Sequence, residues 1–191
     1  MSDTLKQLLK LLTENQSLSP ADTENCFVEI IKGEATEIQI SAFITALKMK
    51  GETAEDIAAG SSVLRRLAVT IPGHPDAIDI VGTGGDGIGT WNISTAASFV
   101  VAGTGIPVAK HGNTAVSSKS GASDVLAELG INLRANVTQV QHALDEAKIC
   151  FLMAPLYHSG MRHVGSVRKE LAFRSIFNIL GPISNPALVK R

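Results

Sequence analysis

Helical periodicity runs from the start of the chain to about Val69 and then stops at Pro72-Gly73-His74-Pro75, after which short apolar runs alternate with helices. This change of rhythm constrains the fold more than any other feature. Consecutive amphipathic helices pack on one another, whereas apolar strands alternating with helices build a parallel sheet covered by helices. The break predicts a helical domain over residues 1–72 and an α/β domain over 73–191.

The helices of the first part carry their own punctuation. Asp3 to Asn15 places Leu5, Leu8, Leu9, Leu11 and Leu12 on one helical face. Ser19-Pro20 supplies an N-cap with proline at the first helical position, and that helix runs to Gly33. Thr36 with Gln39 fits a capping box, opening a helix that stops at Gly51; Thr53 with Asp56 opens a fourth, reaching about Val69.

In the second part Ala77–Val81, Ile106–Ala109, Ile131–Leu133 and Ile149–Met153 read as strands, and residues 95–103, 121–130 and 138–147 as helices. Ligands of such parallel sheets bind at the carboxyl ends of the strands. The turn-rich stretch from Gly181-Pro182 to Asn185-Pro186 ordinarily leads into a further strand. The sheet is therefore expected to be incomplete in these 191 residues, and the chain to be part of a longer protein.

A formal net charge of −1 argues against a general nucleic-acid or membrane-surface binder, so any anionic ligand must be held by a local site. No run approaches the ~18 apolar residues of a membrane span, and the first ten residues carry no signal-peptide pattern, which points to the cytosol. Cys26 and Cys150 stand far apart in apolar stretches without metal-ligand spacing and read as buried, reduced thiols.

Five of the seventeen glycines fall between Gly82 and Gly89, in the segment Gly82-Thr83-Gly84-Gly85-Asp86-Gly87-Ile88-Gly89-Thr90 that follows the first expected strand. Without Cβ atoms, successive backbone N–H groups can converge on one anion. Asn92-Ile93-Ser94-Thr95 then lies where the next helix begins, and a helix start offers unpaired N–H donors and partial positive charge to phosphate. Gly82-x-Gly84-x-x-Gly87 satisfies the dinucleotide fingerprint, but the next strand ends in Lys110-His111 instead of the acid that would hold a ribose. A Walker loop fails as well, because no lysine stands between Gly89 and Thr90. The second motif, Lys110-His111-Gly112-Asn113 continuing through Thr114 to Gly121, offers a cation at a strand end followed by hydroxyls and backbone amides. Two anion cradles at adjacent strand ends suit a substrate with phosphate groups at both ends. Arg162, Arg168, Lys169 and Arg174 fall in a third, partly helical stretch, where charges ordinarily form a solvated face.

Taken with Phe173 to Pro186 (FRSIFNILGPISNP), these motifs resemble the anthranilate phosphoribosyltransferases, in order and at matching spacing along the whole chain. The resemblance implies an N-terminal helical domain followed by a parallel-sheet α/β domain of the nucleoside phosphorylase/phosphoribosyltransferase type. It implies transfer of the phosphoribosyl group of phosphoribosyl pyrophosphate to the amine of anthranilate, in tryptophan biosynthesis. Carried over by position, Gly82, Gly85, Asp86, Thr90, Asn92, Ile93, Ser94 and Thr95 would bind phosphoribosyl pyrophosphate. Lys110, His111, Gly112, Asn113, Thr114, Ala115, Val116, Ser117, Ser118 and Ala122 would complete that site. Gly82, Asn113 and Arg168 would contact anthranilate, Arg168 through its carboxylate, and Ser94 would ligate magnesium. Two positions depart from the family pattern: Thr114 stands for an arginine, and Ala122-Ser123 reverses a serine-alanine pair. The resemblance places the acidic pair that holds magnesium beyond residue 191, so these residues alone are expected to be inactive.

A pyrimidine nucleoside phosphorylase of the same fold is the nearest alternative enzyme, which the Lys110-His111-Gly112-Asn113 pattern disfavours. A non-catalytic phosphate- or nucleic-acid-binding relative is the alternative from another class. A homodimer through the helical domain is expected, because the apolar faces of four short helices exceed what one small bundle buries, and the family resembles this.

Overall fold

The computed structural model describes residues 3–84, 91–114 and 121–191. In chain order the elements are α1 (Asp3–Thr13), α2 (Pro20–Lys32), α3 (Glu37–Lys50), α4 (Ala54–Leu67), α5 (Ile93–Gly103), β1 (Val108–Gly112), α6 (Ala122–Glu128) and α7 (Val137–Ala147). They are followed by β2 (Ile149–Met153), α8 (Ala154–Tyr157), a 3-10 turn (Ser159–Met161), α9 (Arg162–Leu171) and α10 (Ile176–Ile183). The chain forms two compact units, one of residues 1–67 with 158–184, the other of 68–157 with 185–191. Residues 158–184 thus pack with the helices, whereas a division at 72/73 in chain order would put them with the sheet.

In the helical unit the expected caps are present. Ser19 Oγ accepts the Asp22 N–H at 3.1 Å, and Thr36 and Gln39 bond reciprocally at 3.2 and 2.9 Å. Thr53 and Asp56 do the same at 3.1 and 3.0 Å. Gly33 ends α2 at φ +78, where the N–H groups of Gly33 and Glu34 close back on Ile30 and Glu29. A Cβ on Gly33 would also stand 2.5 Å from the ring of His163, which shows how closely α9 lies on the end of α2. The core is built around Phe27, whose ring meets Phe43 of α3 at 5.5 Å and Phe177 of α10 at 5.6 Å, both edge-on. Leu5, Ile30, Ile40, Ile44, Leu47, Val63, Val164, Ile176 and Leu180 complete it. Burial of these apolar faces holds α9 and α10 to the first four helices.

In the second unit β1 and β2 pair in parallel, Val108 opposite Ile149 through Gly112 opposite Met153. The core below them comprises Ile71, Ala77, Ala109, Val140, Leu144, Cys150, Leu152, Tyr157 and Ala187. Three local expectations are corrected. Residues 77–81 do not form a regular strand. Only Ile78 bridges Val108 in parallel, because the next ladder groups of β1, the Ala109 carbonyl and the His111 N–H, bond instead to the side chains of Asn185 and Asp79. Residues 131–133 are not a strand either: the Ile131 N–H caps α6 on the Leu126 carbonyl at 3.0 Å, and three residues cannot offset that local closure. The strand expected at 106–109 starts after Pro107 and continues to Gly112, so Lys110 and His111 lie within β1 instead of following it. The cysteines are free and buried, and burial pushes both thiols up to about 12. Among the described residues, no helix is long and apolar enough to cross a membrane.

Candidate functional site

The site grows out of the carboxyl ends of the parallel segments in the second unit. After the bridge at Ile78, residues 79–82 diverge from β1, and side chains span the gap. Asp79 Oδ1 accepts the His111 N–H at 3.2 Å. Lys110 donates from Nζ to the Ile80 carbonyl at 2.7 Å. Asn185 donates from Nδ2 both to Asp79 Oδ2 and to the Ala109 carbonyl, each at 2.8 Å. Its Oδ1 accepts the Ala187 N–H at 2.8 Å. Lys110, His111 and Asn185 are all buried. Burial pushes the Asp79 carboxyl up to about 6, against the opposing pull of Asn185, the His111 N–H and Lys110. Burial also lowers the Lys110 ammonium, while Asp79 pulls it the other way. Asp79 lies outside the quoted motifs, and Asn185 falls in the Phe173–Pro186 stretch without a role read for it there. An aspartate in an apolar run and an asparagine before proline carry no pattern that would signal their pairing.

From this node both sequence motifs emerge. Gly82, Thr83 and Gly84 are exposed, with Gly84 at φ +65. Asn92 precedes α5 without capping it through its side chain. In the first turn Ser94 is half-buried, Ile93 exposed and Thr95 buried, so the hydroxyl of Ser94 is the more accessible of the two. At the end of β1, Gly112 lies so close to β2 that a Cβ there would be 2.8 Å from Phe151 and 3.7 Å from the Cβ of Ala122. That contact brings the start of α6 beside the second loop. Asn113 and Thr114 are exposed, and Asn113 Oδ1 accepts the Thr114 N–H at 2.8 Å. Gly82, Asn92 to Thr95, Lys110 to Thr114 and Ala122 therefore belong to one unit. Arg168 belongs to the helical unit; it is half-buried on α9, burial lowers its guanidinium, and among the described residues it meets no carboxylate at ion-pair distance. Gly85, Asp86, Thr90, Ala115, Val116, Ser117 and Ser118 lie outside the described residues.

The a/b domain of a glycosyl transferase family matches residues 74–191, and the helical bundle domain carrying the same family description matches residues 6–68. The chain belongs to this glycosyl transferase family. Family members similar to it include the anthranilate phosphoribosyltransferases of Caulobacter sp. (strain K31), 50% identical over all of this chain and 55% of that protein, and of Phenylobacterium zucineum, 52% identical over all of this chain and 57% of that protein. Among solved structures, anthranilate phosphoribosyltransferase from Thermus thermophilus superposes with a TM-score of 0.88 at 39% identity, over 93% of this chain and 54% of that one. The Saccharomyces cerevisiae enzyme in complex with PRPP and Mg gives a TM-score of 0.88 at 33% identity, over 97% of this chain and 56% of that one. The chain spans about half the length of the curated relatives it matches. These relatives agree with the helical domain and parallel-sheet α/β domain expected from the motifs.

As a magnesium ligand the half-buried hydroxyl of Ser94 fits by donor type, since magnesium prefers hard oxygen. It is a single neutral donor. Among the described residues, no group of three or more His, Cys, Asp or Glu could hold a metal ion.

Proposed function

We propose that this chain serves the transfer of the phosphoribosyl group of phosphoribosyl pyrophosphate to anthranilate. The observation that supports this reading is similarity at about half identity along every residue of the chain to proteins of that activity. The geometry agrees with it, because two small-residue loops leave one hydrogen-bonded node at the carboxyl ends of parallel segments.

In the reaction the anomeric C–O bond to pyrophosphate breaks, a C–N bond to the aromatic amine forms, and the nitrogen sheds one proton. The amine is already unprotonated at neutral pH, so no strong general base is required and none is assigned. The N–H groups of residues 82–84 and the Ser94 hydroxyl at the start of α5 would be the donors for the charge that grows on the leaving group, the setting in which fixed dipoles act most strongly. Magnesium, held in part by Ser94, would supply further charge neutralisation when bound. The Lys110 ammonium contributes from beneath the first loop, where it is bonded to the Ile80 carbonyl. By the same resemblance, Gly82 at the start of the first loop and Asn113 in the second would contact anthranilate, and the Arg168 guanidinium would pair with its carboxylate. What remains is positioning, with the amine held at roughly 3–3.5 Å from the anomeric carbon.

The test is formation of phosphoribosylanthranilate and pyrophosphate by the complete polypeptide with magnesium. Phosphorolysis of a pyrimidine nucleoside in its place would move the assignment to the phosphorylases of the same fold, and binding without turnover would leave a non-catalytic relative. The 191-residue chain alone is the arm expected to be silent.

A further inference from the structure

We propose that Asp79 and Asn185 are positioning residues that set the two phosphate-binding loops against each other. The inference rests on the reading of those loops given above. A regular third strand would continue its ladder with β1 past Ile78, but here the backbone bridge stops at Ile78. Two side-chain bonds replace the ladder: the Asp79 carboxylate accepts the His111 N–H, and the Lys110 ammonium donates to the Ile80 carbonyl. The first fixes the residue after Lys110 in the second motif. The second fixes the residue two before Gly82 in the first. Asn185 locks the pair by donating to Asp79 and Ala109 at once while accepting from Ala187. Asp79 therefore faces the His111 N–H on one oxygen and the Asn185 amide on the other, with the Ile80 N–H also donating to the carboxylate, so both of its oxygens must accept.

That requirement makes the node specific for a carboxylate. Asparagine at position 79 keeps the shape but turns one acceptor into an NH2 donor, so it must break with either His111 or Asn185. Protonation of Asp79, whose carboxyl burial pushes up to about 6, turns one oxygen into a hydroxyl and weakens it as an acceptor. The titratable groups whose charge bears on it are Lys110 on β1 and Cys150 on β2, whose thiol stays neutral.

The experiment uses Asp79→Asn and, should that variant not fold, Asn185→Ala in the complete polypeptide. Amide hydrogen exchange is followed in peptides covering residues 79–84 and 108–114, together with kcat, the KM of each substrate and Tm. The expected result is faster exchange in both segments and a KM for phosphoribosyl pyrophosphate raised tenfold or more, with a smaller rise for anthranilate, whose Gly82 and Asn113 contacts lie in the same segments. In D79N the acid limb of kcat/KM near pH 6 also disappears. Unchanged exchange in both segments overturns the proposal. So does a loss shared equally by both substrates that tracks Tm, or an acid limb unaltered in D79N. Absence of turnover in the unsubstituted protein would defeat the functional reading alone, and the exchange data would still decide the role of the node.

Discussion

Lys110 reaches the Ile80 carbonyl from a buried position, and its stem lines an apolar cavity with Phe99, Leu126 and Cys150. Replacing it removes a charge-assisted bond worth roughly 1.5–3 kcal/mol. Lys110→Met, which keeps the stem's packing, frees the Ile80 carbonyl two residues before Gly82 and takes a cation from beneath the first loop, and is expected to weaken phosphoribosyl pyrophosphate binding about tenfold or more while affecting anthranilate less, as calorimetry with each substrate would show. Arg168 gives the opposite pattern. Its half-buried guanidinium has no carboxylate beside it among the described residues, so Arg168→Ala should raise the anthranilate KM about tenfold or more and spare phosphoribosyl pyrophosphate. Asp79 carries a pH effect on stability. Its folded value of about 6 lies above the ordinary 3.8, so its contribution to stability is full below pH ~4 and is lost as pH rises through 6. Urea denaturation at pH 4.5 and 7 should show a larger fall for the unsubstituted protein than for Asp79→Asn. The two loops were legible in the sequence because glycine density and a Lys-His-Gly-Asn run are unusual in themselves. Asp79 and Asn185 were not, because their bond joins positions 106 apart and neither residue type is unusual where it stands.

At the scale of elements, the first four helices were legible almost to the residue because their boundaries are written in local chemistry: a hydroxyl or carboxylate three residues from the N–H it binds. Short strands have no such private signal. Ile131–Leu133 is apolar enough for a strand, yet the closing bond of α6 captures it, and the segment at 77–81 is diverted by its own aspartate. The cap at Thr53 and Asp56 also does more than end a helix. Asp56 is buried, binds both the N–H and hydroxyl of Thr53, and accepts the hydroxyl of Thr23 on α2 at 3.4 Å. Asp56→Ala keeps the Thr53 cap of its own N–H but removes the reciprocal half of the capping box and strands the buried Thr23 hydroxyl, a loss of about 1–2 kcal/mol. Thermal denaturation should show a Tm lower by roughly 2–8 °C, and Asp56→Asn, which can still accept one of these bonds, should fall less.

For the whole molecule, the sequence announces two kinds of structure but not which segment joins which. Residues 158–184 follow the sheet in the chain, yet Val164, Val167, Ile176, Phe177 and Leu180 supply apolar faces that complete the core around Phe27. Even with that cover, α3 leaves a stripe open. Ile38 is 82% exposed and Met49 84%, and they stand on one helical face with the exposed Ala42 and half-buried Thr45 between them. Spacings of four, three and four residues form a seam of the kind that pairs with another helix. This supports the proposal of a homodimer through the helical domain, with α3 at or near the two-fold axis. A two-fold interface buries each residue twice, and covering an isoleucine or methionine side chain contributes about 1.5–3 kcal/mol. Ile38→Glu with Met49→Glu should therefore raise the dimer dissociation constant at least about a hundredfold, since the charges would also face each other across the axis. Sedimentation at micromolar concentration should show a dimer for the complete unsubstituted polypeptide and a monomer for the double variant, with matching circular dichroism. A monomer in both cases would remove the dimer. A dimer in both would move its interface away from α3.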